Sequence, residues 1–129
     1  MICSSACEFR VNIIENTIVI FTSDNGREGV KRSFGFTGPW RGSMFSPYEG
    51  SLRVPFLIRY PREIPSGKIS NEIVHIIDIF PTLAKWSGAS LPQDRILDGV
   101  DQTSFFSGKI NKSPRETVLI YVGNELFGV

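Results

Sequence analysis

One histidine and two cysteines among 129 residues leave little material for thiol or soft-metal chemistry. Cys3 and Cys7 lie beside the amino end with no second Cys/His pair to complete a zinc site. Their readings are a pair, a weak metal contact, or simply part of a frayed end. No apolar run approaches the ~20 residues needed to cross a bilayer, so no membrane association is expected. The formal net charge is only +1 and no cluster of Lys or Arg occurs, which argues against a nucleic-acid partner. The amino end also lacks the look of a signal peptide: no basic region precedes it, and Glu8 and Arg10 interrupt the apolar stretch. Internal repeats and low-complexity tracts are absent.

What is present suits a soluble α/β protein. Hydrophobic residues make up 41% of the chain, with 12 Gly and 8 Pro. A chain of this length buries roughly 65–70% of its unfolded surface. The run from Asn16 to Phe21 is apolar, β-branched and without alternation, as in a central strand of a parallel sheet covered on both faces. Gly26 to Gly42 reads as a long polar loop of the kind that usually carries function. Ser51 to Tyr60 returns to strand chemistry, with Pro55 marking an edge or a bulge. A turn-rich connection follows through Pro61, Pro65 and Gly67.

Ile73 to Ile76 reads as a brief strand leading into a helix. For that helix Asp78 is the expected N-cap, Pro81 falls in the first turn, and Leu83, Ala84 and Trp86 form the apolar face. Gly88 is its expected stop. Thr103 to Phe106 suits one helical turn. Thr117 to Val122 is a strand, and Gly123-Asn124 a turn into Glu125 to Val129, so the chain is expected to stop inside a hairpin.

Chemistry concentrates in Thr22-Ser23-Asp24-Asn25-Gly26. Open α/β sheets place ligands just past the carboxyl ends of strands, where Asp24 and Asn25 fall. Their oxygens are hard donors, suited to calcium or magnesium. Gly26 allows a sharp turn and a close approach of backbone. The same residues, taken alone, also make an ordinary turn.

The next motifs narrow the choice. Gly38-Pro39-Trp40-Arg41-Gly42, Tyr48-Glu49-Gly50, Arg53-Val54-Pro55, Asp78-Ile79-Phe80-Pro81-Thr82 and Asp98-Gly99-Val100-Asp101 resemble, in order and spacing, the motifs of the sulfatase family. The resemblance runs from about Asn16 to Val129 and implies an α/β, alkaline-phosphatase-like mixed sheet flanked by helices, incomplete in this chain. Residues 1–15 are then a poorly defined leading segment, and 16–129 part of the catalytic domain. The implied activity is hydrolysis of a sulfate ester, on a small molecule or a carbohydrate. Asp24 and Asn25 match the family's calcium ligands. The family's Lys that contacts the sulfate falls at Met44, whose thioether can neither donate to the anion nor neutralise it.

Arg41 is the residue that could supply the missing charge, its planar fork suiting a tetrahedral oxyanion, although a solvated loop arginine is the plain alternative. Trp40 and Tyr48 either line the substrate entrance or pack the loop down. The family's nucleophile is a formylglycine made within Cys/Ser-x-Pro/Ala-x-Arg. No Cys or Ser of this chain has that context, so the formylglycine is expected only upstream and the chain alone is expected to be inactive. Calcium takes about six to eight oxygens, and Asp24 with Asn25 supply about three, so the site is partial.

Two rivals stand beside the sulfatase reading: a phosphatase or phosphodiesterase of the same superfamily, and a non-catalytic binding module that keeps the fold. His75 is expected to be a core or supporting histidine, Glu49 to order the turn before the strand, and Arg53 to be a buried or half-buried partner of a carboxylate or of carbonyls. Exposed sheet surface makes self-association an expectation. A periplasmic or secreted parent is compatible with the resemblance, which fixes neither location nor substrate.

Overall fold

The computed structural model describes residues 12–28 and 38–129. Cys3, Cys7 and the middle of the expected Gly26–Gly42 loop lie outside the described residues. The chain divides into two compact units. One holds the described residues up to Thr17 together with Arg59–Val118, and the other holds Ile18–Ile58 with Leu119–Val129.

In the second unit, strand β1 (Val19–Thr22) pairs with β2 (Phe56–Arg59). A short helix, α1 (Glu49–Leu52), precedes β2. The expected strand over Ser51–Tyr60 is therefore half right: Ser51 and Leu52 are helical, and Pro55 stands ahead of the strand instead of inside it. The cause is local, because Ser51 N–H donates to Tyr48 C=O at 2.8 Å and Arg53 N–H to Glu49 C=O at 2.8 Å, which closes a turn before the chain can extend. β1 is not covered on both faces within the described residues, since Val19 and Phe21 are 50% and 64% exposed. Its β-branched run gives strand propensity, while coverage needs packed layers that local sequence does not supply.

The same unit contains the hairpin of β3 (Ile120–Val122) and β4 (Glu125–Gly128). It is antiparallel, with Tyr121 opposite Leu126, Val122 opposite Glu125, and a register irregularity between Ile120 and Tyr121. Gly123, with φ 61°, makes the expected turn with Asn124, since positive φ suits the twist of a two-residue hairpin loop.

In the first unit, residues 12–15 are helical. Helix α2 (Ile79–Ser87) has Pro81 in its first turn, and Gly88 ends it in the left-handed region at φ 73°. Helix α3 (Thr103–Phe106) is the expected single turn. Asp101 Oδ1 accepts from Thr103 N–H at 2.9 Å just before it. The apolar core is small and aromatic. Tyr60, Ala84 and Phe106 are buried. Trp86 meets Tyr60 edge-on at 5.3 Å and stacks on Phe106 at 6.0 Å. Among the described residues no helix is long and apolar enough to cross a membrane.

The brief strand expected over Ile73–Ile76 is a correction: a 3₁₀ turn spans Ile76–Asp78 instead. His75 N–H donates to Asp78 Oδ2 at 2.9 Å, and Ile77 N–H donates to His75 Nδ1 at 3.3 Å. These two bonds form a reciprocal capping box, which draws the backbone out of any strand. Asp78 is accordingly not a side-chain cap of α2.

Candidate metal and sulfate site

The Asp24-Asn25-Gly26 turn, the Trp40–Tyr48 segment and α1 are joined through three glycines. Gly26 is buried and its N–H donates to Ser51 C=O at 2.9 Å. A Cβ on Gly26 would stand 2.6 Å from Ser51 O and closer still to Gly50 O. Gly50 N–H in turn donates to Arg41 C=O at 2.8 Å, and a Cβ there would come within 2.6 Å of Gly42 O. Gly42 adopts φ 94°, and any Cβ would strike Tyr48 Cβ at 2.7 Å. Only glycine permits these approaches, so the strand end and the Arg41 loop are fixed to each other by backbone contact.

Within that frame Asp24 is exposed and Asn25 half-buried. Ser23 Oγ donates to Asn25 C=O at 3.1 Å and lies 3.5 Å from Asp24 Oδ1. Asn25 Nδ2 donates to Gly26 C=O at 2.7 Å, which orients the amide and turns its oxygen away from that carbonyl. The donor set is thus a carboxylate and an amide oxygen on a rigid turn. Its chemistry fits a hard cation such as calcium, but only as part of a coordination sphere. Among the described residues no three His, Cys, Asp or Glu side chains converge as a metal site.

Arg41 and Arg53 differ in how they are held. The Arg53 guanidinium pairs with Glu49 and lies 4.2 Å from the Trp40 ring centroid. The carboxylate partner stands as expected but the expected burial does not, since the Arg53 and Glu49 side chains are 47% and 54% exposed. The Arg41 guanidinium lies 4.4 Å from the Tyr48 ring centroid. Met44 is half-buried, and its N–H donates to Arg27 C=O at 2.6 Å. Phe45 follows it at φ 69°, the left-handed region that non-glycine residues seldom occupy. Ser43 and Ser46 close this turn, Ser46 Oγ donating to Ser43 C=O at 2.7 Å.

The most developed polar cluster lies in the first unit and centres on Asp78, which is fully buried. Arg115 reaches it with two N–H groups, at 2.7 Å and 2.5 Å. Val100 N–H adds a bond at 2.8 Å and Gln102 Nε2 one at 3.2 Å. Thr82 Oγ1 donates to Asp78 C=O at 2.6 Å and accepts from Gln102 N–H at 3.0 Å. Ser113 Oγ donates to Gln102 Oε1 at 3.2 Å, and Ser113 N–H donates to Glu72 Oε2 at 3.0 Å. Burial pushes the Asp78 carboxyl up, but Arg115 and the Val100 and His75 amides outweigh it and hold the group below the usual carboxylate range. Gly99 fits this cluster because a Cβ would press on Pro81 Cδ at 3.0 Å and harder on Ile77 O. The cluster explains the Asp-Gly-x-Asp loop as structure: Val100 caps a buried carboxylate and Asp101 starts α3. His75 acts likewise as a cap. Arg115, Gln102 and Ser113 escaped the sequence reading, because a partner 37 positions from Asp78 carries no local signal.

The family model "Sulfatase" matches residues 11–89. The chain is 36% identical to mouse steryl-sulfatase over 117 residues, covering 86% of this chain and 19% of that protein. It is 33% identical to dog N-acetylgalactosamine-6-sulfatase over 122 residues, covering 92% and 23%. It is 31% identical, with a TM-score of 0.71, to the crystal structure of Ps i-CgsB in complex with k-i-k-neocarrahexaose, covering 89% of this chain and 25% of that one. The chain thus spans about a fifth of the length of the curated relatives it matches. Its fold class is the α/β, alkaline-phosphatase-like one, represented here in part. With the family model matching residues 11–89 and relatives more than 30% identical over most of its length, the chain belongs to the sulfatase family.

Proposed function

We propose that this chain supplies part of the metal- and anion-holding wall of an enzyme that hydrolyses sulfate esters. The observation that carries the reading is the glycine lock, which fixes the oxygens of Asp24 and Asn25 relative to Arg41 through the Gly26–Ser51 and Gly50–Arg41 hydrogen bonds. Asp24 and Asn25 would hold calcium, with further ligands from elsewhere in the parent. Calcium bound there would polarise the sulfate oxygens as a Lewis acid. Arg41 contacts the sulfate as a planar donor, standing in for the charge that Met44 lacks, and Trp40 lines the approach. Residues 16–129 are read as part of the catalytic domain.

The substrate class is a sulfate ester of a small molecule or a carbohydrate. The names of the relatives support it, as does the oligosaccharide in the Ps i-CgsB complex. The chain contains no Cys/Ser-x-Pro/Ala-x-Arg segment, so by itself it leaves aryl sulfates uncleaved. Met44 gives specific support to a second reading, a binding module without turnover. A phosphate ester is the remaining alternative substrate, because its oxygens would meet the same donors.

Calorimetric titration separates these readings. Calcium should bind the 129-residue chain no more tightly than the millimolar range, since the ligand set is partial, and Asp24→Ala should abolish the heat. Micromolar binding, or binding indifferent to Asp24→Ala, would place the metal elsewhere. In the longer parent enzyme, Arg41→Ala should lower kcat/KM for an aryl sulfate, and an unchanged value would remove Arg41 from the site.

A further inference from the structure

The two arginine–aromatic pairs of the second unit are alike in geometry and opposite in electrostatics. Arg53 lies over Trp40, and its guanidinium is already engaged by Glu49. Arg41 lies over Tyr48 at 4.4 Å, and among the described residues no carboxylate or carbonyl accepts from its guanidinium. A guanidinium held by its face keeps its N–H groups directed outward around its edge, where an anion can accept from them. Gly42 makes the contact possible, because only a residue without Cβ leaves room for Tyr48 Cβ at that approach. The Gly50–Arg41 bond then fixes the Arg41 backbone beside α1.

We propose that Tyr48 is a positioning residue: its ring holds the Arg41 guanidinium face-on, so that the edge is presented to a sulfate group, while Glu49 keeps Arg53 from competing. The proposal rests on the reading of Arg41 as the sulfate contact. It adds the residue that orients it and names which of the two arginines binds the anion.

The test uses the 129-residue chain and sodium sulfate as the probe, at constant ionic strength against sodium chloride, followed through the amide signals of Gly42 and Gly50. Wild type should show a saturable response, and Arg41→Ala should lose it. Tyr48→Phe should stay within about twofold of wild type, while Tyr48→Leu should weaken binding by about two- to fivefold, as expected for an exposed cation–π contact. Pentafluorophenylalanine at position 48 keeps the ring's shape but strips its negative face. It should weaken sulfate to the same degree as leucine while the Gly26 amide signal stays in place, a combination that a purely structural role for the ring would not produce. Full affinity with the fluorinated ring would overturn the proposal and leave the Arg41 reading standing. Saturable sulfate binding that survives Arg41→Ala, or none in wild type, would overturn both.

Discussion

Replacing Arg115 with methionine should cost the first unit about 3 kcal/mol, and the reasoning can be followed bond by bond. Methionine keeps most of the apolar stem but removes the two N–H groups that reach Asp78 at 2.7 Å and 2.5 Å. It also frees the carbonyls of Asp98 and Thr117, bonded at 2.8 Å and 3.2 Å on the exposed side, where water can replace the guanidinium. Asp78 has no such recourse, because it is fully buried. Breaking a buried pair from one side typically costs about 3–5 kcal/mol. Three donors remain on Asp78, from His75, Val100 and Gln102, which places the loss at the lower end.

In urea denaturation with a slope of about 2 kcal/mol per molar, the midpoint should fall by roughly 1.5 M. The pH dependence carries an independent sign. A carboxyl whose folded pKa lies below its unfolded value contributes stability above the unfolded pKa, near about 3.9, and loses it as pH falls through the folded pKa. The gap between wild type and Arg115→Met should therefore be widest where Asp78 is ionised in both proteins and shrink as pH falls, starting with protonation of Asp78 in the variant, where burial is no longer offset by Arg115. Adding Asp78→Asn to the variant should recover part of the loss, since no uncompensated charge is then buried. A single-variant loss under about 1 kcal/mol, or a gap that widens in acid, would refute the account of this network.

Gly26→Ala should cost about 1–3 kcal/mol, because its Cβ meets backbone oxygens of Gly50 and Ser51 that no rotamer change can move; urea midpoints measure it, and a neutral result would mean the lock is loose. His75→Ala should cost about 1 kcal/mol as a lost cap, and should leave calcium affinity unchanged. A calorimetric change in calcium binding with unchanged stability would show that the histidine serves the site instead.

How legible the molecule was from sequence depended on how local the determining contacts are. The Gly123-Asn124 turn, the Gly88 stop and the Thr103–Phe106 turn each follow from backbone chemistry within a few residues, and each stands where expected. Ile73–Ile76 was misread because its β-branched residues favour a strand, while the deciding contact is the Asp78 carboxylate on the His75 amide. Ser51 and Leu52 were misread for a similar reason, the turn closed by Tyr48 and Glu49 carbonyls outweighing apolar propensity. The Asp24-Asn25-Gly26 turn was visible as chemistry, but the reason for its glycine was not. That reason is the carbonyls of Gly50 and Ser51, which only folding brings beside it. The Asp78–Arg115 pair was invisible altogether, since an arginine far along the chain reads as surface charge.

The central claim is that Asp24 and Asn25 hold calcium for sulfate ester hydrolysis. It is tested most directly by the kinetics of Asp24→Ala in a longer form of the protein that contains the Cys/Ser-x-Pro/Ala-x-Arg segment, with an aryl sulfate as substrate and calcium varied. The account predicts that kcat/KM falls on the order of a hundredfold or more, with added calcium restoring part of it. An unchanged kcat/KM at every calcium concentration would contradict the claim.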